Sequence, residues 1–290
     1  MFINQNKNIF GLRWLCKRLS IYPSSYYNYE KNKLSKMVKL NIILTKIKQL
    51  YYNNNKVYGH RLICHFLKLS GVHLSKTTVH KYMNKMLGLH SIIMKRSYKF
   101  TRNINNYYKF PNLIKQNFSV LAKNKVWCMD FTYIKLINGK TIYNCSIIDL
   151  FDRSIIATVN SKNIDSALAI NTLSTAILSE SPRGELIVHT DHGSQFTSQA
   201  FRDFCLSQKI TQSMSRPGCP YDNAVIERFF NTLKQSFVNI QRFKDIKDFD
   251  SSLKNYIFLE YNFKRPHMYN NGLTPFEARN LIIPNDVLAN

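Results

Sequence analysis

Asp130 interrupts an apolar, β-branched and aromatic run at 126–136 (VWCMDFTYIKL). A carboxylate buried in such a strand is costly unless it pairs with a cation or binds metal. Asp191 stands at the C-terminal end of a second apolar run, 186–190 (LIVHT), and Glu227 lies in a helical pattern further on. Two strands and a helix can bring three carboxylates together. Hard cations such as Mg²⁺ prefer carboxylate oxygens. Two such ions about 4 Å apart activate a nucleophile and stabilise the leaving oxygen of a phosphodiester. The residue types leave a plainer reading open, in which Asp130 pairs with a distant Arg and Asp191 caps a turn. Lys234 lies two helical turns beyond Glu227 and so shares its face. That edge offers a carboxylate to a metal and an ammonium to a phosphate, with Arg228 and Asn231 flanking and Phe229, Phe230 and Leu233 turned to the core.

The elements that must position these groups follow from periodicity. Residues 126–136, 141–151 and 154–159 read as strands joined by turns at Asn138–Gly139 and Asp152–Arg153. Helical spacing covers 164–178, the strand 186–190 follows, and Thr197 or Ser198 can cap a helix running to Lys209. A short strand, a Pro/Gly loop at 216–220 and a helix over 223–238 complete the order. Three hairpin-linked strands followed by crossover units make a mixed α/β arrangement with five strands.

The front of the chain is chemically different. Residues 1–125 hold 24 Lys and Arg against one acid, Glu30, whereas residues 126–290 hold 17 against 16. That asymmetry places a boundary near 125 and makes the front half a polyanion binder, with nucleic acid first and an anionic membrane surface second. The front half has no long one-sided amphipathic helix to dip into lipid. A length of 290 residues suits two domains. The longest apolar candidate, 166–179, is too short and too polar to span a membrane. The N-terminus lacks a signal-peptide pattern, and six cysteines without a CxxC argue against a disulfide framework. The expected setting is the cytoplasm, in association with the nucleoid.

Within the basic half, 12–19 has helical spacing, Pro23 interrupts it, Ser24 or Ser25 can cap a short helix through Tyr29, and 40–51 repeats the pattern. The stretch 59–87 is the most informative. Leu62, Ile63, Phe66 and Leu67 share a helical face, Gly71 suits the left-handed residue that ends a helix, and Ser75 is placed to cap the next. Val79, Tyr82, Met83, Met86 and Leu87 then form an apolar stripe, opposite Lys76, Thr77, His80, Lys81, Asn84 and Lys85. This is a helix-turn-helix pattern whose second helix would meet DNA through Lys76, Thr77, His80, Lys81 and Lys85. The alternative is an αα-hairpin with a solvated Lys face. Cys64, His65, His73 and His80 match no common zinc-finger spacing. Residues 88–125, with Lys95, Arg96, Lys99 and Arg102, read as a basic linker able to follow a phosphate backbone, or as a plain connector.

Taken in order, WCMDFTYI, HTDHGSQFTS and PGCPYDNAVIERFFNTLK resemble the DDE integrase core of bacterial insertion-sequence transposases. Thirty-five residues separate Asp191 from Glu227, the Asp-Asp-35-Glu spacing shared with retroviral integrases, and Lys234 occupies the basic position seven beyond the Glu. The likeness is greatest to the group encoded in two overlapping frames, of which this chain resembles the second-frame product. LCKRLSIYPSSYYNYEK, YGHRLI…LSKTTVHKYM, FPNLIKQNFSVLAKNKVW and YNFKRPHMYNNGLTPFEA carry it across roughly residues 12–280. Arg228 stands where the family often has Ser, and Ser236 where it often has an acid.

The resemblance implies a ribonuclease-H-like core over 126–240 with a C-terminal extension, 241–290. These follow an all-α helix-turn-helix region, 1–87, and the linker 88–125. It implies two Mg²⁺ or Mn²⁺ ions on Asp130, Asp191 and Glu227, with Asn223 and Lys234 contacting DNA beside them. It also implies DNA strand cleavage and transfer at element ends and target, by a homo-oligomer on DNA, with the upstream-frame protein or a fusion with it as a further partner. A nuclease or junction resolvase on the same fold, and a non-enzymatic DNA-binding regulator or relic, are the alternative functions.

Overall fold

Residues 2–92 and 110–281 are described in the computed structural model, in which the chain separates into two units, Met1–Ile92 and Ile93–Asn290. Lys95, Arg96, Lys99 and Arg102 of the expected linker lie outside the described residues.

In the first unit, α1 (Phe2–Phe10) and α2 (Leu12–Arg18) lead into α3 (Pro23–Asn53). The structure corrects the expectation of two separate helices, through Tyr29 and over 40–51, because α3 is one continuous helix. Pro23 stands in its first turn, where a missing N–H costs nothing. Residues 30–39 contain neither Pro nor Gly, so nothing stops propagation even where the apolar period lapses. α4 (His60–Leu69) and α5 (Lys76–His80) form the expected helical pair. Gly71 takes the left-handed conformation at φ 79° between them. The Ser75 hydroxyl accepts from the Thr78 amide at 3.1 Å as N-cap. The pair packs on the C-terminal end of α3, where Ile47, Tyr51, Ile63, Leu67, Val79 and Met83 are buried together. After α5 the chain continues as a π-helical turn, Lys81–Met86. The wider turn shifts the phase of the apolar stripe, so Met86, expected on the buried face, is exposed.

The second unit is a five-stranded mixed sheet. Its strands are β1 (Val126–Lys135), β2 (Thr141–Asp149), β3 (Ile155–Ser161), β4 (Leu186–Thr190) and β5 (Ile210–Met214), in the spatial order β3-β2-β1-β4-β5. β1–β2 and β2–β3 are antiparallel, while β1–β4 and β4–β5 are parallel. The parallel pairs need crossovers, supplied by α6 (Ser166–Glu180) and α7 (Gln199–Ser207). α7 is capped by Ser198, whose hydroxyl accepts from the Phe201 amide. A 3₁₀ turn, Pro220–Asn223, opens α8 (Ala224–Leu233), which runs on as a π-helical turn, Lys234–Val238.

Strand alternation divides the core into two layers. Trp127 and Met129 of β1 pack with Leu168, Leu173 and Phe201 on one face. Cys128 and Ile134 pack with Ile226, Phe229 and Leu233 of α8 on the other. Phe249 and Leu253 of α9 (Ile246–Asn255) join that second layer. α10 (Pro275–Asn280) is tied down by the Arg279 guanidinium, which bonds the buried carboxylates of Asp149 and Asp152. Among the described residues, no helix is long and apolar enough to cross a membrane.

Candidate active site

Asp130 has the parity of Cys128 and Ile134, so β1 presents it on the α8 side of the sheet. β4 runs parallel to β1 with His189 beside Cys128 and ends at Thr190, which sets Asp191 alongside Asp130 in the middle of β1. Glu227 sits in the first turn of α8. Residues distant in sequence thus meet electrostatically at Asp130. Burial pushes the Asp130 carboxyl up to about 8, and the charges of Asp191 and Glu227 push the same way, against the Phe131 amide and the Lys234 ammonium. The Asp191 carboxyl is also raised by desolvation, although its side chain reaches the surface.

Two short bonds orient the aspartates. Asp130 accepts from its neighbour's amide, Phe131 N, at 2.7 Å, and Asp191 accepts from Gly193 N at 2.8 Å. Gly193 is required by contact rather than by backbone angle. A Cβ there would lie 2.9 Å from Asp191 Oδ1 and 3.0 Å from Gln195 Oε1. Asn223 donates its amide to Asp130 Oδ2 at 3.2 Å, while its own Oδ1 is buried with no hydrogen-bond partner among the described residues. Lys234 lies over the Tyr133 ring, its Nζ 4.7 Å from the centroid, and desolvation lowers its pKa.

An all-oxygen donor set with a raised carboxyl and an orphaned amide oxygen fits a hard divalent cation, which would relieve the crowding of negative charge. Among the described residues, no three His, Cys, Asp or Glu side chains converge closely enough to hold a single ion. The structure therefore brings Asp191 and Glu227 within electrostatic reach of Asp130, without drawing all three onto one point.

The front unit exposes Lys76, Thr77, His80, Lys81 and Lys85, all on one side of α5 and its following turn. His80 is held there by Asn84, whose amide donates to Nε2 at 2.9 Å, and by the His60 ring edge-on at 5.0 Å. Cys64, His65 and His73 gather into no metal cluster with it among the described residues.

Three contributors escaped the sequence reading. Tyr133 is 61% exposed on β1 and serves Lys234; strand alternation had its direction but not its partner. Gly193 follows Asp191 by two residues, and only the turn's geometry shows why it has no side chain. Asp222 is fully buried beside Asn223; an acid followed by Asn reads as a solvated turn.

Comparison with known proteins agrees with the integrase-core fold. One model described as "Integrase core domain" matches residues 121–220, and a second of the same description matches 208–275. The transposase for insertion sequence element IS904 of Lactococcus lactis is 35% identical over 230 residues, 79% of this chain and 90% of that protein. The putative transposase InsK for insertion sequence element IS150 of Escherichia coli is 28% identical over 278 residues, 96% of each. Among solved structures, a chain of the simian T-cell lymphotropic virus intasome, in complex with PP2A regulatory subunit B56 gamma, is 20% identical. The match covers 82% of this chain and 76% of that one, with a TM-score of 0.49.

Proposed function

Because this chain belongs to the insertion-sequence transposases, polynucleotidyl transferases with a ribonuclease-H-like integrase core, we propose that Asp130, Asp191 and Glu227 are the catalytic carboxylates with which it cuts and joins DNA strands. The observation that supports this most directly is the strand register, which sets Asp191, just past the end of β4, beside Asp130 in the middle of β1, while Glu227 opens α8 on the same face; burial, with the charges of both, raises the pKa of the Asp130 carboxyl.

In this reading the three carboxylates hold two Mg²⁺ or Mn²⁺ ions. Bound there, the ions supply Lewis-acid activation of the attacking oxygen and neutralise charge on the leaving oxygen at phosphorus. Phe131 N, Gly193 N and Asn223 keep the aspartates oriented before DNA arrives. Lys234, steadied on Tyr133, binds a backbone phosphate, and Asn223 contacts the DNA beside it. In the front unit, Lys76, Thr77, His80, Lys81 and Lys85 contact DNA along α5 and the turn after it, in a helix-turn-helix region spanning 1–87. Residues 88–125 connect the front region to the core, their stretch from Pro111 to Val120 packing on it through Ile114; 126–240 form the catalytic core and 241–290 its extension. Joining two element ends to a target needs more than one active site, which supports a multimer of this chain on DNA. The upstream-frame protein, or a fusion with it, is a further partner, and the proposed setting is the cytoplasm, on the nucleoid.

The test places the gene with its native flanking DNA on a plasmid in cells and looks by PCR for newly joined element ends. Wild type should give junctions and Glu227→Gln none, at equal protein levels. Junctions from both would remove Glu227 from the active site.

A further inference from the structure

We propose that Asp222 is a positioning residue for this active site, one that fixes the start of α8 and the end of β4 together; the inference rests on the catalytic reading above. Its carboxylate is fully buried and gathers five donors. Oδ2 accepts from Asn112 Nδ2 at 2.8 Å, Arg216 N at 2.9 Å and Arg216 Nε at 3.0 Å. Oδ1 accepts from Gln116 Nε2 at 2.8 Å and Arg216 Nη2 at 3.1 Å. These bonds saturate the lone pairs of a carboxylate. The main chain of Asp222 is held as well. Its N–H donates to Cys219 O at 3.0 Å, and its carbonyl accepts from His189 Nε2 at 3.1 Å.

His189 extends the clamp to the other carboxylate. It is buried on β4, two residues before Asp191. Its Nε2 faces a carbonyl, which can only accept, so Nε2 carries the proton. Nδ1 then accepts from the Ser213 hydroxyl at 2.8 Å, and that hydroxyl accepts in turn from Leu113 N at 2.9 Å. One knot thus binds the 112–116 segment, β4, the end of β5 and Arg216 to the residue preceding Asn223. Asn223 reaches Asp130, and Glu227 follows one helical turn later.

The knot stabilises the fold, since its donors, Arg216 first, hold the Asp222 carboxyl well below the usual carboxylate range, and it also fixes geometry. The Arg216 side chain is half exposed, so solvent screens part of its attraction, whereas losing it would leave the buried carboxylate uncompensated. What five directed bonds supply is a fixed position, and the position they fix is the root of the helix bearing Glu227. No atom of Asp222 is needed at the reacting phosphorus.

The test uses the full-length protein, comparing wild type, Asp222→Asn, and the gentler Arg216→Gln, whose side chain is 53% exposed. Three readouts are taken at a temperature where circular dichroism shows each variant folded. These are hydrogen exchange of peptides covering 215–230, Mn²⁺ affinity by electron paramagnetic resonance, and kcat and KM for joining a duplex that carries the native flanking sequence. For Asp222→Asn we expect faster exchange over 215–230 with β1–β3 unchanged, Mn²⁺ affinity weaker by about tenfold, and kcat lower by tenfold or more with KM within twofold. Arg216→Gln should move the same quantities less far. Unchanged exchange overturns the inference. So does faster exchange with Mn²⁺ affinity and kcat both within threefold of wild type, which would make the knot structural only. A wild type that neither binds Mn²⁺ nor joins DNA overturns the catalytic reading itself, and this inference with it.

Discussion

The aspartates owe their orientation to neighbours that contribute little chemistry of their own, and Gly193 is the most exacting of these. Its missing side chain lets its amide approach Asp191 Oδ1 to 2.8 Å. Alanine would place a methyl 2.9 Å from that same oxygen. The main chain at this position needs no left-handed angle, so the clash must be relieved by the Asp191 and Gln195 side chains rather than by refolding. Gly193→Ala should therefore keep its melting temperature within a few degrees of wild type while strand joining falls at least tenfold. Thermal melting and a joining assay on the same preparation would check this. Joining within twofold of wild type would mean that the Asp191 orientation seen here is not the working one. Asp130 and Asp191 stood out as candidates in the sequence because one interrupts and the other ends an apolar run, and Glu227 through its 35-residue spacing from Asp191 and the family resemblance. Asp222 did not, because its partners Asn112, Gln116 and His189 come from distant segments, and only tertiary structure turns a polar turn residue into a buried anion.

Among the elements, β1, β4 and the start of α8 follow directly from apolar runs and turn residues, since those signals are local. The continuity of α3 does not. Between Glu30 and Lys39 the apolar period fails, and the helix persists because nothing there breaks it. α5 is a short element whose N-terminal cap matters. Ser75→Ala removes the acceptor for Thr78 N and should cost about 1 kcal/mol of front-unit stability. Denaturant melts of the front unit would show it, and no change would mean that solvent replaces the cap. The C-terminal elements make a pH prediction through His267. Desolvation, with Arg265 and Arg153 adding, lowers its pKa from 6.5 to about 3. A base whose folded pKa is depressed binds fewer protons folded than unfolded between those values. Its contribution is therefore complete above about 6.5 and is lost as pH falls toward 3, by up to about 1.4 kcal/mol per pH unit. Denaturant melts from pH 7 to pH 4 should show that slope together with one from His189, whose pKa burial lowers to about 4, and His267→Gln should reduce the total by the His267 share whatever it does to the absolute stability. An unchanged slope in the variant would assign the acid sensitivity elsewhere.

At the scale of the whole molecule, charge divides the labour. The proposed active site of three carboxylates would repel a phosphodiester, and residues 126–290 are nearly neutral overall, with 17 basic against 16 acidic side chains. In the proposed reading, affinity for DNA comes mainly from the front, where 24 basic residues face a single acid. Lys76, Lys81 and Lys85 stand exposed on one side there, free to displace counterions from a duplex. If the front unit engages six or more phosphates, affinity should fall by roughly a thousandfold or more between 50 and 200 mM salt. Lys81→Ala should reduce the slope of log affinity against log salt by about one. Glu227→Gln should leave the slope as it is while abolishing joining, because it removes chemistry and not phosphate contacts. Fluorescence anisotropy of a labelled duplex across a salt series measures all three proteins alike. A flat dependence in wild type would defeat the assignment of the front half to DNA, since a chain with that excess of positive charge cannot hold a duplex through its basic face without releasing ions.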